Sequence, residues 1–476
     1  MNKFSRMAMQ GWVRVGPRFL PFADVATPDL PLSRLLRLSL FQVSVGMALV
    51  LLIGTLNRVM IVELEVPASL VGIMISLPLV FAPFRALIGF KSDTHRSALG
   101  WRRVPFIWKG TMLQFGGLAI MPFSLLVLSG MGNASHAPAW IGQVGAGISF
   151  LLVGAGLHTV QTVGLALATD LAPVESQPKV VGLMYVMLLV GMIVSAFLFG
   201  AMLHDFTPGR LVQVIQAAAV ATLVLNIVAL WKQETRHSAP VAGAQAPTTF
   251  RESWEVFLSG AHAARRLLVV GVGTMGFGMA DVLLEPYGGQ VLHLSVSDTT
   301  KLTATLAAGG LGGFWFASRV LSRGADPFRM AGAGILAGIP GFLLVIAAAP
   351  AGSAAAFAAG TLLVGLGAGL FGHGTLTATM NLAPRGQTGL ALGAWGAVQA
   401  SSAGIAIAFG GILRDVIAAW PSRAGAGPAV PYLSVYGVEV ALLVAALFVM
   451  RPLLRSGRHG THGADAAPLR EGLRAP

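Results

Sequence analysis

No cysteine occurs anywhere in the 476 residues, which removes disulfide frameworks, thiol nucleophiles, CxxC redox pairs, cysteine metal sites and cysteine lipidation in one step. Charge is scarce as well. Only 11% of residues are Asp, Glu, Lys or Arg against 55% hydrophobic ones, and mean hydropathy is +0.75. A chain so poor in polar groups cannot cover a soluble globule of this length, so an integral membrane protein is expected. Also absent are HExxH, a Walker A loop, G-x-S-x-G and any carboxylate-rich metal cluster. No catalytic apparatus is visible, and neither enzyme activity nor a bound metal is expected.

The net charge is +13, and its placement says more than its size. Lys3, Arg6, Arg14, Arg18, Arg34 and Arg37 precede the first apolar run, Lys91, Arg96, Arg102 and Arg103 follow the second, and Arg319, Arg323 and Arg329 lie between later ones. Most basic residues then fall on one side of the membrane, which predicts cytoplasmic termini and a cytoplasmic central linker. No basic run is interleaved with base-stacking aromatics, so nucleic acid is excluded as a partner.

Apolar runs long enough to cross a core of about 30 Å follow one another at 38–62, 69–90, 104–129, 139–170, 180–203, 209–231, 267–287, 299–318, 328–349, 353–382, 388–413 and 432–453. The stretch LLVGAGLHTVQTVGLALATDLAP (151–173) returns without a gap as LLVGLGAGLFGHGTLTATMNLAP (362–384), and FGAMLHD (199–205) returns as FGGILRD (409–415). A period this long in an apolar chain marks a duplicated transmembrane half. The expected fold is an all-α membrane protein of twelve transmembrane helices in two pseudo-symmetric six-helix halves. Its parts are an N-terminal arm (1–37), a first half (38–231), a linker (232–266), a second half (267–454) and a tail (455–476). The arm lacks the long apolar core and A-x-A site of a signal peptide and reads as a segment on the bilayer surface or as a disordered tail.

Several polar residues stand out against this apolar background. Arg58 in TLNRVMIVEL lies about 30 Å along its span at 1.5 Å per residue, while Asp281 and Glu285, one turn apart in GMADVLLEPYGGQ, lie roughly 21 and 27 Å along theirs. Intramembrane charges tend to pair, so Arg58 with Glu285 or Asp281 is a candidate latch between the halves; snorkelling to the interface is the other reading. Arg85 and Lys109 are read as snorkelling. In the repeated stretch His158, Gln161, Thr162 and Asp170 face a shifted His373 with Thr375, Thr377 and Asn381. Gly154 and Gly156 leave room for a neighbouring helix or for a flat ring. His158 is either a buried, hydrogen-bonded histidine or a ligand.

GFKSDTHRSALGWRR gives Gly89, Asp93, Gly100, Arg102 and Arg103, and resembles, slightly stretched, the G-x-x-x-D…G-x-R-R signature of the major facilitator superfamily. With it, TLNRVMIVEL (55–64), APFRALIGFKSDTHRSALGWRRVPFIW (82–108), LALATDLAP (165–173) and DVLLEPYGGQV (281–291) resemble the PucC and LhaA family, a bacteriochlorophyll-delivery branch of that superfamily. The resemblance implies a photosynthetic bacterial cytoplasmic membrane, bacteriochlorophyll as cargo or ligand, antenna polypeptides as partners beside membrane lipids, and a role in light-harvesting complex assembly. Under that resemblance His158, His373, Gly154 and Gly156 become candidate pigment contacts. Arg58, Asp281, Glu285, Gly89, Asp93, Arg102 and Arg103 become candidates for gating or for pairing the halves. The alternative is a proton-coupled secondary transporter of a small apolar solute, working through Asp281 or Glu285.

Overall fold

A computed structural model of the chain describes residues 30–80, 85, 88, 92, 100–129, 138–173, 177–234, 262–321, 323–381, 388–420 and 427–460. The arm before residue 30, Gly89 and Asp93 of the basic signature, most of the linker and the tail beyond 460 lie outside these residues. Among the described residues there is no strand. Twelve helical spans follow in order: Leu32–Glu63, Ala68–Val80, Val104–Leu128, Ala139–Leu171, Gln177–Met202, Pro208–Leu230, Ala263–Gln290, Val296–Leu321, Pro327–Ala351, Ala354–Asn381, Thr388–Ala418 and Ala429–Gly460.

Ten of these carry a stretch long and apolar enough to cross a membrane by themselves. The second span is continuous among described residues only over Ala68–Val80. The eighth is long, 26 residues, but rich in Thr and Gly and charged at Asp298, Lys301 and Arg319. Its glycines explain the composition. A Cβ on Gly309 would meet the Leu362 carbonyl oxygen at 2.1 Å, and one on Gly313 the Leu366 carbonyl oxygen at 2.4 Å. Small residues let this span press its backbone against the tenth, where close packing replaces apolar bulk.

The first span begins at Leu32 rather than at residue 38. Leu30, Leu35 and Leu38 are buried, and Arg34 donates to the Gln233 side chain and carbonyl at 3.1 and 2.7 Å, so the last part of the arm is packed as helix. Further along, this span widens into π-helix at Val50–Leu56 and Val59–Glu63. The seventh span is broken into Ala263–Gly278 and Ala280–Gln290 at Met279. Pro286, which lacks an amide hydrogen, lies inside the second piece.

The duplicated segments land where a six-helix repeat requires. Residues 151–171 lie in the fourth span and 362–381 in the tenth, while Phe199 and Gly200 lie in the fifth and Phe409 and Gly410 in the eleventh. Within the first half, spans one, three and six are joined by buried polar groups. Ser44 Oγ donates to Asn226 Oδ1 at 2.8 Å, Asn226 Nδ2 to Thr111 Oγ1 at 3.0 Å, and Gln114 Nε2 to the Ser44 carbonyl at 3.2 Å. Such bonds are worth about 0.6 kcal/mol each between membrane helices, so they fix register more than they add stability.

Candidate functional site

Two ends and a middle carry the polar chemistry. At the end that holds the start of the third span, Arg102 Nη2 and Arg103 Nε donate to Asp170 Oδ2 at 2.6 and 3.0 Å. Arg103 Nη1 also donates to Ser92 Oγ at 2.6 Å. The Glu234 carboxylate accepts the amides of Arg102, Arg103 and Val104 at 2.8, 3.0 and 2.9 Å, satisfying the free N–H groups of the third helix where its dipole favours negative charge. The two signature arginines thus tie the third span to the end of the fourth. Glu234 and the role of Asp170 escaped the motif, because both partners are distant in sequence.

At the opposite end the halves meet. Asn57 Nδ2 donates to the Val282 carbonyl at 2.9 Å, Ser297 Oγ to the Gly200 carbonyl at 2.7 Å, and the Ser69 amide to Asp415 Oδ2 at 2.7 Å. Arg58 joins them through Nη2, which donates to the Leu294 carbonyl at 3.1 Å, but its charge partner is Glu63 at 2.5 Å, on its own helix. The expected ion pair of Arg58 with Glu285 or Asp281 is therefore not what forms. Glu63 lies five residues beyond Arg58, near one turn of the widened π geometry, and is the nearer carboxylate. Glu285 instead receives the Thr303 hydroxyl and lies against the first span at Gly54, where a Cβ would stand 2.7 Å from Glu285 Oε1. Asp281 accepts no hydrogen bond among the described residues. It lies within electrostatic reach of Glu439, a buried carboxyl of the twelfth span. Glu439 was missed: a lone Glu in SVYGVEVALL gives no motif, and only the fold brings it to the break in span seven.

Between the ends, Arg85 of the second span does not snorkel. Its Nε donates to Thr162 Oγ1 and its Nη2 to Gln161 Oε1, both at 2.9 Å. Lys109, by contrast, is exposed, 5.8 Å from the Phe106 ring centroid. The Arg85 guanidinium is within electrostatic reach of both His158 and Tyr185. From Tyr185 the contact crosses to the other half: its ring lies 6.4 Å from Phe314, and Phe314 lies 4.2 Å from the His373 ring. Trp395 Nε1 donates to Thr375 Oγ1 at 3.2 Å on the same side. Neither His158 nor His373 takes a hydrogen bond among the described residues, and Nδ1 of each is buried without a partner. The buried, hydrogen-bonded reading of His158 thus has no bond to support it. A buried polar atom left in this way costs about 1–3 kcal/mol.

Gly154 and Gly156 do not open onto this space. A Cβ on Gly154 would fall 2.1 Å from Pro78 Cγ, and one on Gly156 2.4 Å from the Gln114 amide nitrogen. The second and third spans fill the room a flat ring would need, so the pigment-contact expectation for these two glycines is corrected to helix packing.

This arrangement, two six-helix halves packed against each other through the second and eleventh spans and the fifth and eighth, defines a membrane protein of the major facilitator type. Solved structures share the fold. A bacterial homologue of the human lysosomal transporter Spinster, inward-facing and unoccupied, superposes with a TM-score of 0.62 at 15% identity over 89% of this chain and 97% of that one. A POT peptide transporter in complex with alafosfalin gives 0.64 at 13% identity over 92% and 98%. The model of the PUCC protein family matches residues 55–458, and the chain belongs to that family. It is 67% identical to Protein PucC of Rhodovulum sulfidophilum over 88% of this chain and 92% of that protein, and 60% identical to Protein PucC of Cereibacter sphaeroides over 93% and 97%. The Bacteriochlorophyll synthase 44.5 kDa chain of Rhodobacter capsulatus is 26% identical over 91% and 97%.

Proposed function

We propose that this protein is a non-enzymatic assembly factor for light-harvesting complexes, supplying or inserting bacteriochlorophyll and assisting antenna polypeptides. It would work in the cytoplasmic membrane of a photosynthetic bacterium with both termini cytoplasmic. The positive-inside bias supports that orientation, and the name of the 26% identical relative supports a link to bacteriochlorophyll. The observation that carries the pigment part is the pair of histidines on equivalent spans, His158 and His373, each with a buried Nδ1 without a partner; Phe314 lies against His373 and, across the halves, against Tyr185, while Arg85 is within electrostatic reach of both Tyr185 and His158. Bacteriochlorophyll would supply a magnesium with an affinity for a nitrogen donor, and His158 or His373 would hold it through a ring nitrogen. Phe314 and Tyr185 supply aromatic surface for a macrocycle, and Arg85 supplies a held cation for its polar substituents.

The test has two parts. Deleting the gene should lower assembled antenna while pigment synthesis continues; normal antenna absorption in that strain removes the reading. In the purified protein, His158→Leu keeps bulk and deletes the ligand, so it should lose bound pigment or shift its absorption band. Unchanged pigment content and band in both His158→Leu and His373→Leu exclude the contact.

A second reading, a proton-coupled transporter of a small apolar solute, is favoured by the buried carboxyl Glu285 and the half-buried Asp281 one turn away, on the span that touches the other half. Solute-driven proton uptake in proteoliposomes would support it.

A further inference from the structure

Glu439 has no part in the pigment reading. Its side chain is fully buried, about 15 Å along its helix from Ala429, well inside the bilayer. Oε1 accepts the Ala280 amide at 2.7 Å. In an unbroken helix the Ala280 amide would go to the Gly276 carbonyl. The second oxygen, Oε2, is buried without a partner. One turn away, Tyr436 is equally buried, and its hydroxyl is also without a partner.

The titratable groups facing Glu439 are Asp281 from the seventh span and Tyr436 from its own, with Tyr287 and Tyr432 behind Tyr436. Among the described residues no Lys, Arg or His faces either carboxyl. A fully buried carboxylate that faces a second, half-buried one with no counter-cation is costly to keep charged, because desolvation and repulsion add. A metal ion is disfavoured as the compensating charge, since no group of three His, Asp or Glu converges there among the described residues.

We propose that Glu439 is a proton-binding site: the carboxyl takes a proton from water on Oε2, while Oε1 goes on accepting the Ala280 amide, set free by the break in the seventh span. A neutral carboxyl can do both, since it keeps one acceptor oxygen and gains a donor. Losing the proton to water places a full charge at the start of Ala280–Gln290, tightens its hold on that amide and repels Asp281. That helical piece also touches the other half, through Asn57 on the Val282 carbonyl and through Gly289, where a Cβ would meet the Arg58 guanidinium at 3.0 Å. Proton binding at Glu439 therefore sets how firmly this piece is held between the twelfth span and the first half.

Infrared difference spectroscopy on the purified full-length protein in lipid discs tests this. The wild type should show a protonated-carboxyl band that fades on alkalinisation, and one component of it should vanish in Glu439→Gln while surviving in Glu285→Gln. Gln keeps the acceptor for Ala280, so this variant should fold. Identical carboxyl bands in the wild type and folded Glu439→Gln overturn the proposal. So does a melting temperature that rises when sodium replaces choline in the wild type but not in that variant, which would mark a metal-ion occupant. Should Glu439→Gln fail to fold, Asp281→Asn decides: removing the neighbouring charge must lower the titration midpoint of the buried carboxyl band by about one pH unit or more. An unmoved midpoint overturns the site.

Discussion

Arg58 and Glu63 stand 2.5 Å apart on one helix, and the same guanidinium crosses to the Leu294 carbonyl in the other half. The pair is thus an internal brace that holds a donor in place for the contact between halves. Arg58 is nearly buried while the Glu63 side chain is 37% exposed, so water can partly take over from Arg58 when it is lost. Arg58→Ala should cost about 1–3 kcal/mol. A double-mutant cycle by denaturant titration should find stronger coupling of Arg58 to Glu63, its direct partner, than to Glu285, which lies only within its electrostatic reach; coupling to Glu285 alone would refute this geometry.

Gly154→Ala and Gly156→Ala should each destabilise the fold by about 1–3 kcal/mol, since overpacking against Pro78 or the Gln114 backbone forces helices apart. Thermal unfolding measures this. Unchanged stability with an altered pigment spectrum would instead return these glycines to the pigment site.

Asp205 lies in the connection after the fifth span, where hydrogen bonds from Arg210 and then His204 hold its carboxyl below the usual carboxylate range. A depressed folded value means stabilisation that is present above the ordinary value of about 4 and is lost as pH falls through the lower folded value. Asp205→Asn should therefore melt slightly lower than wild type at neutral pH, and the gap should close in strong acid. Because the pair is exposed, high salt should also shrink it. A gap that widens on acidification would contradict the assignment.

The amino-acid pattern alone determined the membrane class, the duplication and the twelve spans, because apolar length and internal repetition are properties of the chain itself. It also marked His158, His373 and the two signature arginines, whose residue types are rare in such a background. Partner choice was another matter. Depth counted at α-helical rise aligned Arg58 with Glu285, but π turns after Val50 rotate the arginine toward Glu63. Arg85 was indistinguishable from a snorkelling residue until the fourth span supplied Gln161 and Thr162. Glu439 and Glu234 became meaningful only once the fold set them against helix N-termini far away in sequence, 159 residues in one case and about 130 in the other. A lone carboxylate announces nothing by itself, because its free energy inside a membrane depends on which amides, charges and waters the tertiary packing brings to it.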